Sequence, residues 1–150
     1  MLDGWMRRRI DAPLNRAGRR LAAQGVSANA VTLIGLGLGL AGAGVLAAGG
    51  ATAWALVLIL LSRLADGLDG AIARAGRKSD FGGYLDICCD FLFYGAVPLA
   101  FALRDPANGH ASAFLLCSFY VNGATFLGYA ILAEKRGLES PGFSLFRSRK

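Results

Sequence analysis

Between Asp66 and Asp90 the chain reads DGLDGAIARAGRKSDFGGYLDICCD, and this stretch gathers five of its ten acidic residues between apolar segments. Asp66 and Asp69 are spaced i, i+3, while Gly82, Asp86 and Asp90 are spaced i, i+4, i+8. On helices, each set makes one stripe on one face. A short polar loop over residues 75–81 would join the two helices as an antiparallel hairpin. At a rise of ~1.5 Å per residue, Asp66 lies about as far before that loop as Asp90 lies after it. Four carboxylates then meet at one depth inside a membrane domain, which is costly unless a positive charge sits between them. A divalent metal suits that position. The plainer alternative is a salt-bridged hairpin in which the acids pair with Arg63, Arg74, Arg77 and Lys78; it accounts for two acids more readily than for four.

The elements that must hold this stretch are apolar helices. With 55% hydrophobic residues and a mean hydropathy of +0.47, the 150-residue chain parses into four apolar runs of near-spanning length. The class is therefore all-α: one polytopic integral membrane bundle over residues 1–150. The spans are expected at about residues 31–49, from 51 into the acidic stripe, 82–103 and 111–133. In the first, Gly35 and Gly39 form a GxxxG pair, a packing signal with no chemistry attached. In the fourth, Asn122, Thr125 and Tyr129 interrupt the apolar surface and are expected to face the other helices. Ahead of the bundle, residues 4–24 carry Met6, Ile10, Leu14, Ala17 and Leu21 at helical spacing, with arginines on the other faces and Trp5 as a headgroup anchor. That pattern predicts an amphipathic helix lying on an anionic leaflet. Residues 134–150 read as a cytoplasmic tail, and no cleavable signal peptide is visible.

Charge sets the orientation. Of the sixteen basic residues, six lie in 7–20, three at Arg74, Arg77 and Lys78, and five after 134; Arg104 alone falls on the opposite side, and Arg63 lies within a span. Both termini and the acidic loop are thus expected on the cytoplasmic face of a bacterial inner membrane. The net charge of +6 is accounted for by topology, so nucleic acid is not an expected partner. Cys88, Cys89 and Cys117 fall in apolar helices and His110 is the single histidine, which argues for small packing residues over zinc or disulfides.

Written as a pattern, the stretch is Asp66-x2-Asp69-Gly70-x2-Ala73-Arg74-x7-Gly82-x3-Asp86-x3-Asp90. It resembles the signature of the CDP-alcohol phosphatidyltransferases at every fixed position. The likeness extends loosely to a basic N-terminal helix, to Asn29 and Thr32 at the start of the first span, and to Arg63. The resemblance implies an integral membrane enzyme that displaces CMP from a CDP-linked lipid with an alcohol, using Mg2+ or Mn2+. It also implies roles: Asp66, Asp69, Asp86 and Asp90 at the metal, Asp90 as general base on the acceptor hydroxyl, and Asp66, Asp69, Gly70, Ala73, Arg74 and Gly82 around the CDP moiety. Chemistry agrees, since a diphosphate brought to a site lined with aspartates needs a metal to neutralise it. Glycines remove side chains where a nucleotide must approach, and a guanidinium suits the diphosphate.

Two features depart from the family pattern. Ala28 stands where a proline is usual, and four spans are visible where six are usual, so the chain is expected to stop short after Glu134. Lys135 and Arg136, at the cytoplasmic end of the fourth span, are candidates to hold an acceptor phosphate. They favour a phosphorylated polyol such as glycerol 3-phosphate over serine, with ordinary positive-inside anchoring as the alternative. A homodimer is the expected assembly. The competing functions are an ion- or proton-coupled transporter, a prenyl-diphosphate transferase and an inactive truncated family member. No internal repeat supports the first, and the Gly-x2-Ala-Arg segment after Asp69 speaks against the second.

Overall fold

The computed structural model describes residues 2–76 and 79–137, with side chains from Asp11 onward. Five long helices follow one another: α1 Leu2–Ala23, α2 Ala28–Ala47, α3 Thr52–Ala75, α4 Asp80–Arg104 and α5 Gly109–Lys135. A single 3-10 turn, Pro106–Asn108, separates α4 from α5. No strand occurs among the described residues. Three expectations lie outside them: the contribution of Arg77 and Lys78, the tail beyond Gly137, and the side chains of Trp5, Met6 and Ile10.

Helix ends follow local chemistry. Gly25 and Gly49 take φ of 80° and 74° just past α1 and α2, a left-handed conformation that side-chain-bearing residues resist. Ser79 caps α4, its Oγ accepting from the Gly82 N–H at 3.0 Å. At the other end of the bundle Arg104 Nη1 donates to the carbonyls of Gly50 (2.9 Å) and Leu46 (3.3 Å), satisfying the end of α2.

Helices α2, α4 and α5 are long and apolar enough to cross a membrane. Helix α3 is of similar length, but Arg63, Asp66, Asp69 and Arg74 all fall in its second half and leave 52–62 as its apolar part. Packing is built on small residues. Gly35 faces Ala65, Gly42 faces the Ala55 carbonyl, and a Cβ on Gly39 would meet the Phe93 ring at 2.6 Å and Ser62 Oγ at 2.7 Å. The GxxxG face of α2 therefore lies directly against α3 and α4, where lipid supplies no hydrophobic drive and close approach has to. Ala43, Leu46, Ala55 and Ala100 complete a compact apolar knot near Arg104.

Two helices sit outside this trio. Helix α1 packs along α3: Gly18 is buried against Ala71, and Leu14 lies over Gly67. Its Leu14, Ala17 and Leu21 are half-buried while Arg16, Arg19 and Arg20 are exposed, which matches the amphipathic pattern. Helix α5 packs on α4. Asn122, Thr125 and Tyr129 are exposed on it, so the expectation that they face the other helices does not hold. The Thr125 hydroxyl instead donates to its own helix at the Val121 carbonyl (2.8 Å), a local bond that needs no neighbour.

Candidate active site

The hairpin of α3 and α4 brings the four aspartates together. Asp66, Asp69, Asp86 and Asp90 each interact electrostatically with the other three. Asp66, Asp69 and Asp90 line one small cavity of about 10 Å³ with Thr32, Ser62 and Arg63, between α2, α3 and α4. Asp86, half-buried, stands one turn nearer the loop on the same face of α4 as Asp90.

Each carboxylate is held differently. Asp69 is the most enclosed, at 4% exposure, and its Oδ2 accepts from the Thr32 hydroxyl at 2.6 Å. Thr32 is itself buried and lies 3.1 Å from the Ala28 carbonyl, so α2 presents the hydroxyl to α3 from a fixed position. Asp90 Oδ1 accepts from Arg63 Nη1 at 3.0 Å, and the same nitrogen lies 3.7 Å from Asp66 Oδ1. The guanidinium carbon of Arg63 sits 3.8 Å from the centroid of the Phe93 ring.

In kind, these donors fit a hard divalent cation: all are carboxylate oxygens, with a hydroxyl beside them. Their present spacing is wider than a finished ion site. Among the described residues no three acid, thiol or imidazole side chains close on one point. Arg63, lying between Asp66 and Asp90, is the positive charge that the arrangement does contain.

The remaining residues singled out by the motif divide into near and far. A Cβ on Gly70 would meet only the Arg74 guanidinium, at 3.2 Å, so the space beside it is otherwise open. Ala73 is half-buried one turn further along α3. Arg74 is exposed and turned toward α1, donating to Asn15 Oδ1 from Nη2 (3.0 Å) and Nε (3.4 Å). At Gly82 a Cβ would lie 3.0 Å from both Asn29 Oδ1 and Ser79 Oγ, so its missing side chain serves the approach of α4 to α2. Lys135 and Arg136 are exposed and apart from the acids. Gly123 of α5 packs on Phe91, the neighbour of Asp90, and Lys135 follows it by roughly 18 Å along the helix. Helix α5 packs on α4 rather than on α2 or α3.

Sequence reasoning missed three contacts. Thr32 was visible at the start of the first span, but nothing in the sequence pairs it with Asp69. Phe93 lies three residues past Asp90, on the same face of α4, and that spacing was a usable signal for a ring beneath Arg63. Asn15 had no signal, because its partner Arg74 lies far along the chain.

Comparison with known proteins points to the family that the motif resembles. Residues 25–143 match the CDP-alcohol phosphatidyltransferase family. The chain is 43% identical over 145 residues to the inner membrane protein YnjF of Escherichia coli, covering 96% of this chain and 70% of that protein. It is 33% identical over 99 residues to the archaetidylinositol phosphate synthase of Pyrococcus horikoshii, covering 65% of this chain and 52% of the relative. It is 32% identical over 121 residues to the phosphatidylinositol phosphate synthase of Streptomyces avermitilis, covering 80% and 50%. The chain thus spans about half the length of these two synthases. No solved structure matches it. With the family signature seated on two facing helices and the match running through most of the bundle, this chain belongs to the CDP-alcohol phosphatidyltransferases.

Proposed function

We propose that the protein transfers a phosphatidyl group from CDP-diacylglycerol to the hydroxyl of a phosphorylated polyol, releasing CMP, on the cytoplasmic face of a bacterial inner membrane. The observation that carries this is the shared lining of one cavity by Asp66, Asp69 and Asp90, with Asp86 one turn along α4, in a chain of this family. Asp66, Asp69 and Asp86, with Asp90 beside them, would hold Mg2+ or Mn2+, which when bound offsets the charge of the diphosphate and of the departing CMP.

The chain's own groups supply the rest. The acceptor oxygen bonds to the phosphorus that carries diacylglycerol, the bond from that phosphorus to the CMP oxygen breaks, and the hydroxyl proton passes to the Asp90 carboxylate. The open space at Gly70, with Ala73 beside it, would admit the nucleotide close to the α3 backbone. Gly82, at the start of α4 beside Asn29, would border the nucleotide as well. Arg74, poised at the same end of α3, would turn from Asn15 to the diphosphate. Thr32 fixes the orientation of Asp69.

A phosphorylated acceptor is supported by the names of the two synthase relatives, both of which refer to inositol phosphate products. We extend the proposal to a homodimer, which chemical cross-linking in membranes would test. The test of function is CMP release from CDP-diacylglycerol by the purified full chain in lipid nanodiscs, with inositol phosphate, glycerol 3-phosphate and serine offered separately. Release with a phosphorylated polyol is expected; release with serine alone would refute the acceptor class.

A further inference from the structure

Arg63 is poorly used for an arginine at the centre of an acidic cluster. Of its five donors, one makes a good bond, Nη1 to Asp90 Oδ1 at 3.0 Å. The same nitrogen is stretched to Asp66 at 3.7 Å, and Nη2 reaches Ser62 Oγ only at 3.4 Å. Nε is buried and has no hydrogen-bond partner among the described residues. A guanidinium built to be a permanent partner of a carboxylate docks as a fork, with two parallel bonds. Here the flat group lies on the Phe93 ring instead, 3.8 Å from its centroid, with the Tyr94 ring 5.9 Å away. Stacking holds it beside the acids while leaving it one good hydrogen bond to them.

Charge explains why it is there at all. Four carboxylates held within range of one another repel, and a carboxylate inside a bundle needs a cation or a donor nearby. Asp69 has its donor in Thr32. Asp66 and Asp90 have Arg63. A divalent ion held by these acids would draw on the same two carboxylates, Asp66 and Asp90, that Arg63 now faces.

We infer that Arg63 is the site's own replaceable cation, a positioning residue that neutralises Asp66 and Asp90 in the metal-free protein and competes with the divalent ion for them. When the ion takes the carboxylates, the guanidinium gives up its one strong bond and keeps its place on Phe93. This inference rests on the metal-dependent site proposed above and adds the residue that occupies it between metal-binding events.

The experiment uses the purified full chain in nanodiscs and needs no turnover. Mn2+ binding is measured by electron paramagnetic resonance for the parent, Arg63→Gln and Arg63→Lys, and thermal unfolding is followed in EDTA and in saturating Mg2+. Arg63→Gln should bind Mn2+ at least about tenfold more tightly than the parent, because one opposing unit charge a few ångströms away has gone. The same variant should be less stable than the parent in EDTA and regain most of the loss in Mg2+. Arg63→Lys keeps the charge on a side chain that cannot lie flat on Phe93, and it should bind Mn2+ with an affinity between the two. If Arg63→Gln does not fold in either condition, the lysine variant decides, and binding no tighter than the parent's overturns the inference. Equal or weaker Mn2+ binding by Arg63→Gln, with the parent binding normally, overturns it while leaving the metal site intact. A parent that binds no Mn2+ overturns both.

Discussion

Thr32→Val should weaken the bundle most when no metal is present. The substitution keeps the shape of the side chain and removes the hydroxyl that donates to Asp69 at 2.6 Å. Asp69 is 4% exposed and Thr32 7%, so water does not replace the lost donor. A hydrogen bond to a charged group contributes about 1.5–3 kcal/mol, and a buried acceptor left without its donor costs about the same. Thr32→Ser supplies the control, because it keeps the hydroxyl and loses one buried methyl, about 0.8 kcal/mol. In EDTA the order of stability should therefore be parent, then serine, then valine, with valine lower by roughly 2 kcal/mol. A divalent ion on Asp69 would take over part of the lost stabilisation, so saturating Mg2+ should narrow the gap between valine and parent. The assay is thermal or denaturant unfolding of the purified full chain in one lipid system. A valine variant as stable as the parent in EDTA, or a serine variant no better than valine, would refute the assignment of Thr32 as the Asp69 donor.

Other substitutions test separate contacts. Asp90→Asn conserves shape but removes the base, so turnover should fall by roughly two to four orders of magnitude with CDP-lipid affinity little changed; turnover within a few-fold of the parent would remove Asp90 from that role. Gly39→Val places side-chain atoms where the Phe93 ring and Ser62 already lie, and the variant should be destabilised by about 1–3 kcal/mol or fail to accumulate; normal stability would show that α2 does not pack as described. Asn15→Ala frees the Arg74 guanidinium from α1, and its first measurable effect should be a change of about threefold in KM for CDP-lipid with kcat nearly constant. An unchanged KM would mean that Asn15 does not position Arg74 for the substrate.

The motif was legible because it obeys helical periodicity and because a short polar loop leaves few ways to join two apolar helices. Residues 75–81 were expected as the connection, and α3 ends at Ala75 while α4 begins at Asp80. The glycines of the first span announced close packing, and Gly35 and Gly39 are both buried against neighbouring helices. The salt-bridged alternative pairs Arg63 with the acids, and Arg63 does face two of them. What could not be read depends on how helices rotate against one another. Thr32 meets Asp69 across 37 positions of sequence, and Asn15 meets Arg74 across 59. No local pattern encodes either contact, since both follow from the way α1 and α2 settle on α3. Polar residues on α5 misled for a related reason, because a hydroxyl can bond back to its own helix and leave no trace of which way it faces. Charge at the right end of a helix says nothing about which neighbours that helix packs on, so Lys135 and Arg136 could not be placed relative to the acids from sequence.

The most direct test of the central claim is CMP release from CDP-diacylglycerol by the full chain, measured with inositol phosphate or glycerol 3-phosphate, first in excess EDTA and then after adding Mg2+ or Mn2+. Release that is absent in chelator, restored by the metal and lost again in Asp66→Ala is the predicted result. Undiminished release in chelator, or by Asp66→Ala, would contradict a metal-dependent transfer centred on the α3–α4 aspartates.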